Sequence, residues 1–228
     1  MSFIEKYYET IIASGHYKLL FEGFGNTLLI TLGALLIGVV IGTIIAVTKF
    51  FCEDSPAAKP LIWFCDLYTT VIRGVPVVVL LLITFFIIFA SSDNGVMVAI
   101  ITFGINSGAY MAELIRSGIQ SVDKGQMEAG RSLGLSKLQT MVKIVFPQAI
   151  RYILPAIGNE MIALLKETSV AGYVAVRDVT KAGDLIRNNT YDSVNPLLTV
   201  ALTYLTLVVL MTAVLSKVEK RLNKSDRG

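Results

Sequence analysis

The stretch that decides the fold is DKGQMEAGRSLGLSKLQTMVKIVFP, Asp123 to Pro147. Hydrophobic runs dominate on both sides of it, whereas here glycine, charge and short helical signals take over. Asp123 with Gln126 three residues later reads as an N-cap with a capping box, opening a helix through Leu133. Gly134 can adopt the left-handed conformation that ends a helix. Ser136 with Gln139 reads as a second capping box, opening a helix that Pro147 interrupts or ends. The stretch therefore encodes a helix, a sharp glycine turn and another helix between two membrane-length segments. That is a shape for presenting a rigid knob to another protein.

Working outward, the chain has 228 residues, of which 54% are hydrophobic and only 16% charged. With a mean hydropathy of +0.67, this composition excludes an ordinary soluble domain and points to an all-α integral membrane protein. Cys52 and Cys65 form neither a disulfide framework nor a zinc spacing, and no metal-ligand cluster is expected. His16 reads as a surface residue. The first apolar run is longer than a signal-peptide core and no small-residue cleavage site follows it, so it reads as a retained span.

Residues 1–22 carry aromatics and both charge signs, the pattern of an interfacial segment. Gly23 to Phe50 follows, roughly 40 Å long as a helix and enough to cross a bilayer with tilt. Within it Gly38, Gly42 and Ala46 recur at four-residue spacing, a stripe for close helix packing. The second apolar segment, Leu61 to Ala90, is interrupted by Arg73-Gly74-Val75-Pro76 and reads as a broken helix. A third span is expected from Gly95 to about Arg116, a fourth from about Pro155 to Val176 and a fifth from Pro196 to Leu215. Residues 177–195 read as a compact extramembrane loop, with Asn195-Pro196 as N-cap and first helical position. Five spans put the termini on opposite sides. The loops 51–60 and 117–151 and the tail 217–228 carry the excess of Lys and Arg, so the positive-inside rule places the N-terminus outside and the C-terminus and knob inside.

Arg73, Asn106 with Ser107, and Lys166 with Glu167 fall near mid-depth of separate segments. Charge there costs roughly 2.5–3.5 kcal/mol per residue on insertion scales, so such groups pair with one another or line a pathway. Pairing would join Arg73 or Lys166 to Glu167, Glu113 or Asp66. A pathway would use Arg73, Asn106, Tyr110, Glu113, Lys166, Glu167, Thr168 and Ser169, a lining of both signs beside a broken helix that suits a small zwitterion. Glu128 and Arg131, three apart on one helix, can pair with each other or with another protein. No G-x-x-x-x-G-K-[ST] sequence occurs, so the chain is not itself an ATPase.

The spacing of Glu128, Ala129, Gly134, Ile144 and Pro147 resembles the EAA pattern of permease subunits of bacterial ABC importers, with Gly130 for its second Ala and Phe146 for its Leu. The flanks GFGNTL (23–28), RGVP (73–76), AYMAELIRSGIQSVDKGQMEAGRSLGLS (109–136) and LLKETSV (164–170) resemble the polar amino-acid, histidine/glutamine-type branch. One departure is the aliphatic run after Pro76, where many relatives carry a Gln near Leu80. The resemblance implies a transmembrane domain over 23–216 in the bacterial inner membrane. It also implies that the loop 123–147 is a cytoplasmic coupling helix, meeting an ATPase through Lys124, Gly125, Glu128, Ala129, Arg131, Gly134 and Leu135. The implied partners are a second permease subunit, identical or paralogous, two ATP-binding subunits, an extracytoplasmic solute-binding protein and a polar amino acid, with no nucleic acid. ATP and Mg would sit on the ATPase, and this chain would bind no cofactor. The competing classes are an ion-coupled secondary amino-acid transporter, a membrane scaffold or channel subunit, and an ABC importer of another small solute such as methionine.

Overall fold

The computed structural model describes residues 2–53 and 55–224, so Met1 and the last four residues of the basic tail lie outside it, as does Asp54 in the loop 51–60. Among the described residues every regular element is helical. Helix α1 (Phe3–Tyr7) runs into a π-helical segment (Tyr8–Ala13) and is followed by α2 (Tyr17–Cys52). Next come α3 (Lys59–Gly74) and α4 (Val77–Ile83), a π-helical turn (Thr84–Ile88) and α5 (Gly95–Gln120). The knob holds α6 (Lys124–Ser132), α7 (Lys137–Thr140) and a π-helical turn (Met141–Val145). The rest is α8 (Phe146–Glu167), a 3-10 segment (Thr168–Val174), α9 (Val179–Thr190) and α10 (Val194–Lys224). Among the described residues four helical stretches are long and apolar enough to cross a bilayer: Tyr17–Cys52, Gly95–Gln120, Lys137–Val174 and Val194–Leu222. A fifth is reached when Pro56–Gly74 and Val77–Ile88 count as one broken span.

The expected break sits at Arg73-Gly74-Val75-Pro76. Pro76, with φ −56° and ψ 134°, leaves the helical region and its carbonyl accepts the N–H groups of Val79 and Leu80. A proline cannot continue the ladder of the helix before it but can open the one after it.

The chain divides into two compact units. The first comprises residues up to Ile37, Val75–Ile105 and Met161–Met211. Its core joins Ile30 and Ala34 of α2, Leu81 of α4, Ala99 and Phe103 of α5 and Leu164 of α8 to Ala171, Val174 and Val176. The GFGNTL stretch clamps the start of α9 in this unit. Asn26 Nδ2 donates to the Arg177 carbonyl at 2.9 Å, and Thr27 Oγ1 accepts the Val179 N–H at 3.2 Å. Asp178 is fully buried and caps α9 by accepting the N–H groups of Thr180 and Lys181. Burial pushes its carboxyl above the ordinary value, against the pull of those two N–H groups.

The second unit comprises Gly38–Gly74, Asn106–Glu160 and the chain from Thr212 onward. It has two apolar clusters. One joins Ala46, Ile115 and Val122 to Met141, Val145, Ala149 and Ile153, and the other groups Ile45, Cys65 and Ala112 with Ile41 and Tyr68. The expected small-residue stripe is in place: a Cβ on Gly38 would lie 2.7 Å from Ser107 Oγ, one on Gly42 would lie 2.4 Å from Met111 Cβ, and Ala46 is buried.

Several boundaries differ from the sequence reading. Helix α2 begins at Tyr17 rather than Gly23 and α5 reaches Gln120 rather than Arg116, because charge ends an apolar run without ending a hydrogen-bond ladder. Pro147 does not end the second knob helix. A π-helical turn precedes it, with the Phe146 N–H donating five residues back to the Met141 carbonyl, and this wider turn takes up the missing N–H. The fourth span therefore does not start at Pro155, which lies inside α8. The segment 177–195, expected as a compact loop, is largely the helix α9. Asn195 is not the cap of the last span, since α10 already begins at Val194. That role falls to Asp192, whose Oδ1 accepts the N–H groups of Val194 and Asn195. Asp192 also takes a bond from Asn195 Nδ2 at 2.6 Å and one from Thr10 Oγ1 at 3.3 Å, and it faces the Lys6 ammonium at 3.7 Å. Burial would raise this carboxyl, but the bonds from Asn195 and Val194 and the Lys6 charge hold it below the ordinary value.

Gly42→Val should lower the melting temperature of the purified protein, with a packing cost on the order of 1–3 kcal/mol. Gly25, whose Cβ would meet nothing within 4 Å, provides the control: Gly25→Ala should leave the melt unchanged.

Candidate functional site

Asp123 opens the knob, its Oδ1 accepting the Gly125 N–H at 2.6 Å. The expected capping box does not form, because the Gln126 side chain is used elsewhere: Gln148 Nε2 donates to its Oε1 at 3.3 Å. Helix α6 ends as read, at Gly134 with φ +81°. The Leu135 N–H donates to the Gly130 carbonyl at 3.2 Å and the Gly134 N–H to that of Arg131 at 3.0 Å, a Schellman pair that satisfies the last carbonyls of the helix. Ser136 and Gln139 then form the full expected capping box of α7.

Two helices joined this tightly must pack without bulk between them. Gly130 is buried, and a Cβ there would lie 2.4 Å from Thr140 Cγ2 and 3.0 Å from Ile144 Cδ1. The departure from Ala at this position is thus a packing requirement set by Thr140. Arg131 and Glu128 do not pair with each other; the Arg131 guanidinium donates to the Leu135 carbonyl at 2.6 Å and braces the turn. Lys124, Gly125, Glu128, Ala129, Arg131 and Gly134 are exposed and Leu135 is half-buried. The apolar side chains facing outward include Leu133, 81% exposed, with Leu138 and Val142. Sequence reasoning missed these three, although Leu133 stands beside the glycine turn, where a core position is not expected.

Beside the knob, in the second unit, lies a cavity of about 850 Å³ lined by Lys49, Asp66, Glu113, Arg116, Lys124 and Glu128 among others. Lys49 Nζ is 2.6 Å from Asp66 and 3.6 Å from Glu113, and Arg116 grips Glu113 at 2.7 Å. Of the two alternatives, pairing or a pathway, the pairing of Asp66 or Glu113 takes partners other than Arg73 and Lys166: Lys49 and Arg116 hold both carboxylates. The sequence signal for Lys49 was its position at the end of an apolar run, which read as topology rather than as an ion pair. Arg73 instead lies over the Tyr110 ring, 5.3 Å from its centroid. Asn106 is buried, and Ser107 Oγ donates to Glu160 Oε1 at 3.3 Å. The remaining pathway candidates belong to the first unit, where Lys166 is exposed, Glu167 and Ser169 are half-buried, and buried Thr168 donates to the Leu165 carbonyl at 2.7 Å.

Residues 38–224 match the family described as the binding-protein-dependent transport system inner membrane component. The chain belongs to that family. It is a multi-pass protein of the bacterial inner membrane. Similar proteins include the arginine transport system permease protein ArtQ of Bacillus subtilis, 35% identical over 87% of this chain and 92% of that one. The probable glutamine ABC transporter permease protein GlnM of Bacillus subtilis is 37% identical over 92% and 96% of the two chains. The putative glutamine permease GlnP of Rickettsia bellii is 36% identical over 90% and 94%. Among solved structures, an amino acid ABC transporter crystallised with histidines superposes with a TM-score of 0.84 at 36% identity, covering 92% of this chain and 96% of that chain. The MetNI methionine transporter, at 22% identity and a TM-score of 0.78, shares the fold.

Gly134→Ala forces a side chain into the left-handed region at a cost of roughly 1–2 kcal/mol. Hydrogen exchange should rise at the amides of Gly134 and Leu135, which close the turn, and stay unchanged in α10.

Proposed function

We propose that the chain is the permease subunit of an ATP-driven importer of a polar amino acid. The observation that carries this reading is the rigid two-helix knob at 123–147, in a chain whose family is named for dependence on a binding protein. The similarity to arginine and glutamine permeases and to an amino acid transporter structure supports the substrate class. The reading places the N-terminus outside, the C-terminus and the knob inside, an interfacial segment over 1–22, the transmembrane domain over 23–216 and a cytoplasmic basic tail over 217–228. A binding protein delivers the amino acid on the outer side. Two ATP-binding subunits hydrolyse ATP with Mg on the inner side, and a second permease subunit completes the route. This chain performs no hydrolysis itself.

The mechanism is mechanical. Closure of the ATPase pair displaces the knob, and the capped helices, each cap contributing about 1 kcal/mol, pass the displacement on rather than fraying. The apolar trio Leu133, Leu138 and Val142 supplies surface for a groove on the ATPase, and Lys124, Glu128 and Arg131 supply charge around it. The residues proposed for the substrate pathway are Arg73, Asn106, Tyr110, Glu113, Lys166, Glu167, Thr168 and Ser169, whose charges and hydrogen-bonding groups suit a zwitterion.

Reconstituted with its ATPase and binding protein, the chain should take up amino acid only with ATP. Uptake by the chain alone along an ion gradient, indifferent to ATP, overturns the reading. Gly134→Val should assemble yet lose substrate-stimulated ATP hydrolysis. Lys166→Met and Glu167→Gln should each reduce uptake; unchanged uptake in both would make these two residues packing devices.

A further inference from the structure

Helix α3 is lightly held. Of its residues only Cys65 and Thr69 are buried, and Leu61, Trp63, Phe64, Leu67 and Val71 all face outward. It is flanked by the proline-containing turn Pro56–Ala58 on one side and the Pro76 break on the other, where a Cβ on Gly74 would meet nothing within 4 Å. Its ties within the second unit include the small cluster of Ile45, Cys65 and Ala112, the Arg73 guanidinium over the Tyr110 ring, and the ion pair of Asp66 with Lys49. A rod with a break at each end and few buried contacts can shift as a body.

Lys49 stands between this rod and α5. Its side chain, 14% exposed, projects from α2 with Nζ tight against Asp66 of α3 at 2.6 Å and looser against Glu113 of α5 at 3.6 Å. Glu113 is in turn gripped by Arg116, whose guanidinium also donates to Gln120 Oε1 at 3.1 Å. Glu113, Arg116 and Gln120 follow one another along α5 to its last residue, and the knob helix α6 begins at Lys124. The same cavity wall carries Lys49, Asp66, Glu113, Arg116, Lys124 and Glu128. A displacement of the knob therefore reaches the end of α5 first and Glu113 next.

We propose that Lys49 is a relay. Its ammonium shifts between Asp66 and Glu113 as the end of α5 moves, and so carries the displacement of the knob to α3, the half-helix that bears Arg73. Lys49 is a positioning residue in this account and touches neither substrate nor nucleotide. The inference rests on the transport function proposed above. It assigns the coupling to a contact inside the permease, in addition to the surface that meets the ATPase. Lysine suits the role because its ammonium is a compact charge on a flexible stem that can be shared between two carboxylates.

The test is the number of ATP molecules hydrolysed per amino acid imported by the complete complex in proteoliposomes. Lys49→Met should assemble and hydrolyse ATP while importing about tenfold less amino acid per ATP, a loss of about 1.4 kcal/mol of coupling. Lys49→Arg should restore most of the ratio. Asp66→Asn, at a carboxylate 57% exposed, tests the same contact without removing the half-buried cation, so it reports even if Lys49→Met fails to assemble. The double variant should be no worse than Lys49→Met alone, because Asp66→Asn removes one of the two contacts that Lys49→Met already removes. A normal ratio in Asp66→Asn, or additive losses in the double variant, overturns the relay alone. Absence of ATP-driven uptake in the unaltered complex overturns the transport reading, and the relay with it.

Discussion

The constraint on which the structure depends is the close approach of α2 and α5. Within lipid, helices gain nothing from leaving water, so their association rests on van der Waals contact between surfaces that fit. Glycines supply the fit from both sides. In the first unit, Gly33 of α2 receives Ile100 and Gly104 of α5 receives Ile37. In the second, Gly38 receives Ser107, Gly42 receives Met111, and Gly108 receives Ile41. Each added Cβ would fall within 3.0 Å of its neighbour, so the two backbones lie as close as side-chain-free surfaces permit. With α2 set against α5 in this way, the Lys49 ammonium meets Glu113.

The knob is stiff for a different reason. It is short, so little of its stability can come from a core, and its backbone is satisfied locally. The Asp123 cap, the Schellman pair at Gly134 and the Ser136–Gln139 box leave few amides and carbonyls near the turn for water. The Arg131 bond to the Leu135 carbonyl adds a brace across the same turn. Contact between the two helices is then set by Gly130 against Thr140. A local network of this kind moves as one piece when pushed. That property, rather than any reactive group, is what the proposed coupling to an ATPase requires of it.

Much of the fold was legible because membrane sequences state it in composition and breaks. The spans follow from length and hydropathy, the interruption of the second span from Pro76, and the α6–α7 turn from Gly134 and the Ser136 box. The boundaries were less legible. Pro147 reads as an interruption or an end, and the π-helical turn before it lets the helix continue. Asn195 reads as a cap, but the helix already begins one residue before it, and Asp192 takes the N–H groups of Val194 and Asn195 while also holding Thr10 and Lys6 from the far end of the chain. No local pattern contains that long-range contact.

The candidate site divides in the same way. The sequence by itself determined that the protein spans the membrane, that a capped two-helix knob interrupts it and that charges of both signs lie along its helices. These features depend on neighbours a few residues apart, through capping, periodicity and hydropathy. Which charges meet across helices was decided by the tertiary structure alone. Asp66 and Glu113 go to Lys49, and Arg73 to the Tyr110 ring, whereas the Glu113–Arg116 pair, three residues apart on α5, is local. An ion pair between helices depends on how closely and at what register they pack, and that is set by contacts such as Met111 seated on Gly42, two residues far apart from each other in the chain.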